Sequence, residues 1–439
     1  MRTRHGIDPA LAHLAQAVLI PPFPGQQAPP WILAALGEGL AGVTLFGPNV
    51  GSPAQLAGLT AKLRAAGSGS GAGTTRPVIA IDEEGGDVTR IAHHGGSPYP
   101  GNAALGAIDD VSLTQAVYAA LGADLAALGV TLDLAPAVDV NTVADNPVIG
   151  TRSFGADTAL VVRHAAAAVT GLQSAGVAAC AKHFPGHGST RLDSHHVLAT
   201  VDAPRRMLAQ RDLPPFAAAI AAGVRAIMPG HLRVPELTGD LPASLSRAAL
   251  TDLLRGELGF TGLIVSDGLE MRAVSDVYGI PEAAVLAVLA GTDLLCLGRD
   301  QDWRMYADVR DGLMTAVTSG RMPGSRLEEA ADRVAALRSW TVTQAQASAQ
   351  ACHAGTAGIG LAAARRAVRV DGVPAPLHRP LVVEVVPPAN MAAGPVPWGL
   401  SSWVPALSLR RISTGEPAAS LAASITSLLT EAAGRSLII

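Results

Sequence analysis

The run Ala181-Lys-His-Phe-Pro-Gly-His-Gly-Ser-Thr-Arg-Leu-Asp-Ser-His-His196 gathers one Lys, four of the chain's 12 His residues and an Asp directly after the apolar segment Gly176-Val-Ala-Ala-Cys-Ala181. A buried strand that ends in such a loop hands ionisable groups to the surface of a scaffold. Lys occurs only as Lys62 and Lys182, and a compact ammonium at a strand end is not interchangeable with a forked guanidinium. Inside the loop, Asp193 and His195 stand two residues apart. A carboxylate that holds one ring nitrogen leaves the other to face a reactant, which gives a proton carrier effective near neutral pH. The same spacing also suits a local Asx turn. His187 and His196 read as loop packing. Gly186 and Gly188 imply a mobile backbone, in keeping with a flap that closes over a substrate.

A second candidate lies in Val265-Ser-Asp-Gly-Leu-Glu270. Asp267 with Glu270 three residues later fits a helix N-cap pair, and it fits equally a nucleophile at the C-terminal mouth of a barrel. Asp82, Arg90, Arg152, Lys182 and His183 supply the charged groups that bond strongly to sugar hydroxyls. Ion pairs among them on a rigid rim would preorganise a polar site without competing with that use. A metal site could draw on His183, His187, Asp193, His195 and His231. Against it, the strand ending Leu45-Phe-Gly-Pro-Asn49 lacks a His-x-His pair, and adjacent His93 and His94 face different ways if extended. No metal and no cofactor is therefore expected, and a metal-dependent barrel hydrolase is the alternative.

Short β-like runs at 40–46, 77–82, 129–135, 176–181, 224–228, 262–267 and 292–297 alternate with helical runs up to about residue 340. Seven such units with polar residues at successive strand ends predict a (β/α)8 TIM-type barrel, although an eighth strand is not recognisable. Asp82, Lys182, His183, His231 and Asp267 then share one rim. The glycine-rich run Gly67-Ser-Gly-Ser-Gly-Ala-Gly73 reads as a solvated loop, because no helix start follows it to make a phosphate cradle. The expected organisation is a catalytic barrel over 1–340, a linker over 341–375, and a small or truncated, incomplete α/β domain over 376–439.

The composition is 49% hydrophobic and 15% charged with a net charge of −4, which offers no basic footprint for nucleic acid. No uninterrupted apolar span is long enough for a bilayer. The N-terminus, though basic, runs into Pro21-Pro22-Phe23-Pro24 without a cleavage signal and is read as mature protein. Cys180, Cys296 and Cys352 form no paired framework, which fits a reducing cytoplasm. The expected partner is a small-molecule or oligosaccharide substrate, with neither nucleic acid nor membrane; the composition says nothing of oligomeric state.

The chain resembles glycoside hydrolase family 3, and within it the bacterial β-N-acetylglucosaminidase (β-N-acetylhexosaminidase) branch. The resemblance covers roughly residues 10–340 and rests on Ile81-Asp-Glu-Glu-Gly-Gly86 with Arg90, Thr151-Arg-Ser-Phe-Gly155, Lys182-His-Phe-Pro-Gly-His-Gly188 with Asp193-Ser-His195, Pro242-Ala-Ser-Leu-Ser246, and Ser266-Asp267. It implies Asp267 as nucleophile and Asp193 with His195 as the acid/base dyad. Asp82, Arg152, Lys182 and His183 would hold the non-reducing-end sugar, with Arg90 a lesser candidate for the same shell. Asp87 stands where many members carry Arg. The implied reaction is retaining release of terminal β-linked N-acetylglucosamine through a covalent glycosyl-aspartate, in peptidoglycan recycling or related carbohydrate metabolism. A glycoside phosphorylase using the same site and an inactive sugar-binding protein are the other readings.

Overall fold

Period-two alternation of side-chain direction decides how the apolar runs are used. The structure, a computed structural model, describes residues 8–68, 76–348, 358–372, 376–386, 391–394, 399–400 and 408–438. Most of the glycine-rich run at 67–73 lies outside them. The first strands in chain order are β1 (Leu19–Ile20), β2 (Gly42–Leu45), β3 (Val78–Ile81), β4 (Leu132–Asp133) and β5 (Ala178–Phe184). They are followed by β6 (Ala199–Thr200), β7 (Ala226–Pro229), β8 (Leu232–Arg233), β9 (Leu263–Ile264) and β10 (Leu295–Cys296).

Six of these, β2, β3, β4, β5, β7 and β9 in that order, form one curled parallel sheet, while β10 pairs in parallel with β1. Backbone bonds cross both remaining seams: Ser266 N donates to Leu294 O at 2.8 Å, and Thr44 N donates to Pro21 O at 3.3 Å. The eight strands thus follow one another around a ring, with β6 and β8 as a separate short pair. The strand missing from the sequence reading is β1. It is two residues long and runs into Pro21-Pro22, which have no N–H to extend a ladder.

Val78, Ala80, Ala178, Cys180, Ala226 and Met228 fill the interior of the ring, whereas Ile79, Ile81, Ala179, Ala181 and Ile227 face the surrounding helices. Lys182 continues the parity of Ala178 and Cys180, so its side chain rises into the mouth of the ring. At the opposite pole, buried Asp293 accepts from Arg326 at 2.8 Å and Arg333 at 3.0 Å, which ties helix Gly324–Ser348 under the sheet.

Part of the stretch expected to be a linker is helical. Helix Gly324–Ser348 runs past residue 340, and a second helix occupies Ile359–Ala367, where good helix formers such as Ala and Leu dominate. The second helix docks on the barrel: Ala363 is buried, Arg366 Nη1 lies 2.9 Å from Asp110 Oδ2, and a Cβ at Gly360 would stand 1.9 Å from Pro98 O. Beyond it, β11 (Leu381–Val386), β12 (Ser408–Ser413) and β13 (Leu437–Ile438) form a parallel sheet in the order β12-β11-β13, with helix Ala418–Glu431 beside it. The last short run pairs Leu437 with Leu381 and Ile438 with Val382.

Candidate active site

The acidic loop after β3 divides its three carboxylates by direction. Asp82 and Glu84 project into the mouth of the ring, while Glu83 turns to its own loop, where Oε2 accepts from Arg90 N at 2.8 Å and Ile91 N at 3.0 Å. Lys182 Nζ sits between the first two, 2.8 Å from Asp82 Oδ1 and 2.7 Å from Glu84 Oε1. Arg152 grips Glu84 through Nε at 2.9 Å and Nη2 at 2.7 Å. Burial alone would push the Asp82 and Glu84 carboxyls up. The cations outweigh it, Lys182 then Arg90 for Asp82 and Arg152 then Lys182 for Glu84, and hold both well inside the ionised range at neutral pH.

Arg152 Nη2 is also 3.2 Å from His183 Nε2. A guanidinium has no acceptor, so His183 Nε2 accepts there and Nδ1–H donates to Asp139 Oδ2 at 2.8 Å. Asp139 further accepts the His187 N–H at 2.7 Å. The Lys182–His183 peptide is cis, and the register between β5 and β7 shifts at this point.

Asp267 lies three residues after β9 and lines the same cleft. Among the described residues its Oδ1 accepts only its neighbour's N–H, Gly268 N at 2.8 Å, and the next helix begins at Arg272, so Asp267 is not a helix cap. Burial favours the protonated acid, but the imidazoles of His231, His183 and His195 together keep this carboxyl below its ordinary range. His231 Nε2–H donates to Gly268 O at 3.0 Å and Nδ1 lies 2.6 Å from Ser244 Oγ. The Pro242-Ala-Ser-Leu-Ser246 motif therefore reaches the site by steadying the carbonyl next to Asp267.

His195 lines the same cleft as Asp267. Asp193 Oδ1 accepts both His195 N at 2.9 Å and His195 Nδ1 at 2.6 Å, which leaves Nε2 as the outward nitrogen. Several bonds fasten the loop, two of them close to His195. Arg272 N donates to His195 O at 3.2 Å, and His187 Nε2 lies 2.9 Å from Ser194 Oγ. Gly188 serves close approach and not the mobility expected of it: a Cβ there would stand 2.0 Å from Val140 O.

All of Asp82, Arg90, Arg152, Lys182, His183, His195 and Asp267 line one cleft, with Asp193 behind His195. Arg90 Nη2 donates to Ala392 O at 2.7 Å and lies 3.7 Å from Asp82 Oδ2, and both of these partners line the same cleft. Asp87 accepts from the Thr151 hydroxyl. Among the described residues no three His, Cys, Asp or Glu side chains converge as metal ligands. The imidazoles of the loop are instead engaged with Asp139, Thr190, Ser194 and Asp193. Glu84, Asp139 and Glu270 were not among the expected site residues. Glu84 was accessible to sequence reasoning, because it shares a face with Asp82 two positions earlier.

The ring and this rim define a family 3 glycosyl hydrolase chain: the Glycosyl hydrolase family 3 N terminal domain matches residues 29–337, and the chain belongs to that family. It is similar to Beta-hexosaminidase A of Pseudoalteromonas piscicida, with 34% identity over 320 residues, covering 68% of this chain and 53% of that protein. The chain thus spans about half the length of that relative. Beta-hexosaminidase LpqI of Mycobacterium tuberculosis is 37% identical over 275 residues, 61% of this chain and 70% of that one. The solved glycoside hydrolase family 3 beta-N-acetylglucosaminidase of Paenibacillus sp. str. FPU-7 superposes with a TM-score of 0.85 at 32% identity. That likeness covers 97% of this chain and 84% of that one.

Proposed function

We propose that the chain is a retaining, exo-acting glycoside hydrolase that releases terminal β-linked N-acetylglucosamine, with Asp267 as nucleophile and Asp193 with His195 as acid and base. The observation that carries this reading is that Asp267 and the outward nitrogen of His195 line one cleft, where neighbouring imidazoles favour the ionised form of the Asp267 carboxyl. The names of the similar proteins, beta-hexosaminidases and a beta-N-acetylglucosaminidase, support the substrate class.

In the first step Asp267 Oδ attacks the anomeric carbon, the glycosidic bond breaks, and His195 Nε2–H gives its proton to the leaving oxygen. Asp193, held ionised by its bond to His195, stabilises the imidazolium that precedes this transfer. In the second step a water attacks the glycosyl-aspartate and passes a proton to His195, which restores the site. Retaining enzymes with two carboxyls place them about 5 Å apart, where each raises the other's pKa. An imidazole adds no negative charge beside Asp267. Lys182, Asp82, Arg152 and His183 form a rigid polar wall suited to hold the sugar hydroxyls.

Hydrolysis of p-nitrophenyl β-N-acetylglucosaminide with NMR detection of the first anomer tests the reading. A β-anomer product from the native chain and none from Asp267→Ala are expected, whereas an α-anomer first product would overturn it. Repeating the assay in phosphate separates hydrolysis from phosphorolysis by the appearance of a sugar 1-phosphate. A panel of muropeptide and chitooligosaccharide substrates identifies the aglycone.

A further inference from the structure

Asp139 is a buried carboxylate behind the sugar wall, and the mechanism above gives it no part. Between it and the substrate stands His183, whose ring lines the cleft. The two oxygens of Asp139 have separate duties. Oδ1 accepts two backbone N–H groups, His187 N at 2.7 Å and His183 N at 3.3 Å, bonds that favour the ionised form and fix that oxygen in place. Oδ2 faces the His183 ring, with Nδ1 at 2.8 Å.

A carboxylate only accepts, so the ring carries its proton on Nδ1. At the other end of the ring Arg152 Nη2 stands 3.2 Å from Nε2, and a guanidinium only donates. Both neighbours impose the same neutral tautomer, with Nδ1–H turned inward and a bare Nε2. The contact with Arg152 is long, and Arg152 keeps its two bonds to Glu84 without it, so Nε2 is free to exchange it for another donor. Lys182 and Arg152 on the same wall can only donate. A sugar hydroxyl that accepts from either of them has its own hydrogen to give, and Nε2 is placed to take it.

We infer that Asp139 is a positioning residue for sugar binding, fixing the His183 tautomer so that Nε2 presents a lone pair to one sugar hydroxyl. The inference rests on the hydrolase reading and deepens it. Asp139→Asn isolates the effect, because it keeps the shape of the side chain and inverts one hydrogen bond. The amide oxygen is claimed by the two backbone N–H groups, which the NH2 cannot accept from, so the NH2 faces Nδ1. The ring must then free Nδ1 and carry its proton on Nε2, where a donor meets donors.

The test has two arms, both on the full chain. In the first, isotope-labelled histidine reports the tautomer through its ring-nitrogen NMR shifts, with the His183 signals assigned by their loss in His183→Gln. Native His183 is expected to be protonated at Nδ1 and bare at Nε2, and Asp139→Asn to show the reverse. A native ring protonated at Nε2, or a variant that keeps the native tautomer, would overturn the inference. In the second arm, calorimetry follows binding of N-acetylglucosamine and of its monodeoxy analogues. Asp139→Asn is expected to weaken the parent sugar about tenfold, the worth of one hydrogen bond, and to bind one deoxy analogue as well as the native chain does. A uniform loss across the series, which general damage to the fold would give, counts against a positioning role. Should the variant not fold, the native chain alone decides: N-acetylglucosamine must move the Nε2 signal of His183 and leave that nitrogen unprotonated, and an unmoved signal would end the proposal. Turnover of the chromogenic substrate reports separately on the hydrolase reading, since neither arm needs catalysis.

Discussion

Arg152 holds Glu84 through two bonds, Nε at 2.9 Å and Nη2 at 2.7 Å, with both side chains nearly excluded from solvent. Lys182 Nζ lies 2.7 Å from the same carboxylate and 2.8 Å from Asp82 Oδ1, so Glu84 is shared between two cations while Lys182 is shared between two anions. Removing Glu84 takes from Arg152 the carboxylate it grips and leaves Lys182 with Asp82 alone, and truncating one partner of a buried pair costs about 3–5 kcal/mol. Glu84→Ala is expected to lose stability on that order in denaturant unfolding and to raise KM, since Arg152 no longer sets the His183 ring. A variant with native stability and native KM would show that Glu84 is a bystander.

The dyad makes a separate claim about leaving groups. A phenolate with a low pKa departs without a proton, whereas a sugar alkoxide does not. His195→Ala should therefore cost about 10²–10⁴-fold on a natural glycoside, the usual worth of a positioned acid, and much less on a dinitrophenyl glycoside. Equal losses on the two substrates would remove His195 from the acid role.

Much of this rim was legible in the sequence, because strand ends are where polar residues follow apolar runs. Asp82, Lys182 and Asp267 each close such a run, and the ring brings all three to one cleft. What stayed hidden depends on contacts between distant segments. Nothing local to Glu270 says that its carboxyl turns away from the Asp267 backbone toward Arg299 N, for the spacing read equally as a capping pair. Asp139 sits mid-loop, and its value comes from meeting His183 and the His187 N–H some forty residues later. Strand β1 escaped because two residues carry no periodicity. The helix Ile359–Ala367 was read as linker because its anchor, the Pro98 backbone, lies far back in the chain.

Ser244 acts at one remove from the chemistry. Its Oγ is 2.6 Å from His231 Nδ1, and His231 in turn holds Gly268 O at 3.0 Å beside the nucleophile. Ser244→Ala leaves a buried ring nitrogen unsatisfied, which costs about 1–3 kcal/mol. A loss in kcat larger than the change in KM is expected, because the Asp267 backbone is what moves. Rescue by Ser244→Thr, which restores the hydroxyl, would separate this from general damage. A stability loss with kcat untouched would confine Ser244 to packing.

His187 links the dyad loop to pH. Burial, reinforced by neighbouring His183, holds its imidazole down at about 4, against about 6.5 for an exposed ring in the unfolded chain. Between those values the unfolded chain binds a proton that the native state refuses, so stability declines as pH falls from about 6.5 toward 4. Below both values the contribution approaches roughly 3 kcal/mol. Protonating a ring that touches both Thr190 and Ser194 would also disturb the segment that carries His195. Urea unfolding of the native chain and of His187→Asn, compared between about pH 7.5 and about pH 4.5, isolates the effect. The variant starts less stable at neutral pH, yet its acid decline should be shallower by about 2 kcal/mol. Two curves of equal slope would mean that this imidazole does not govern the acid limb.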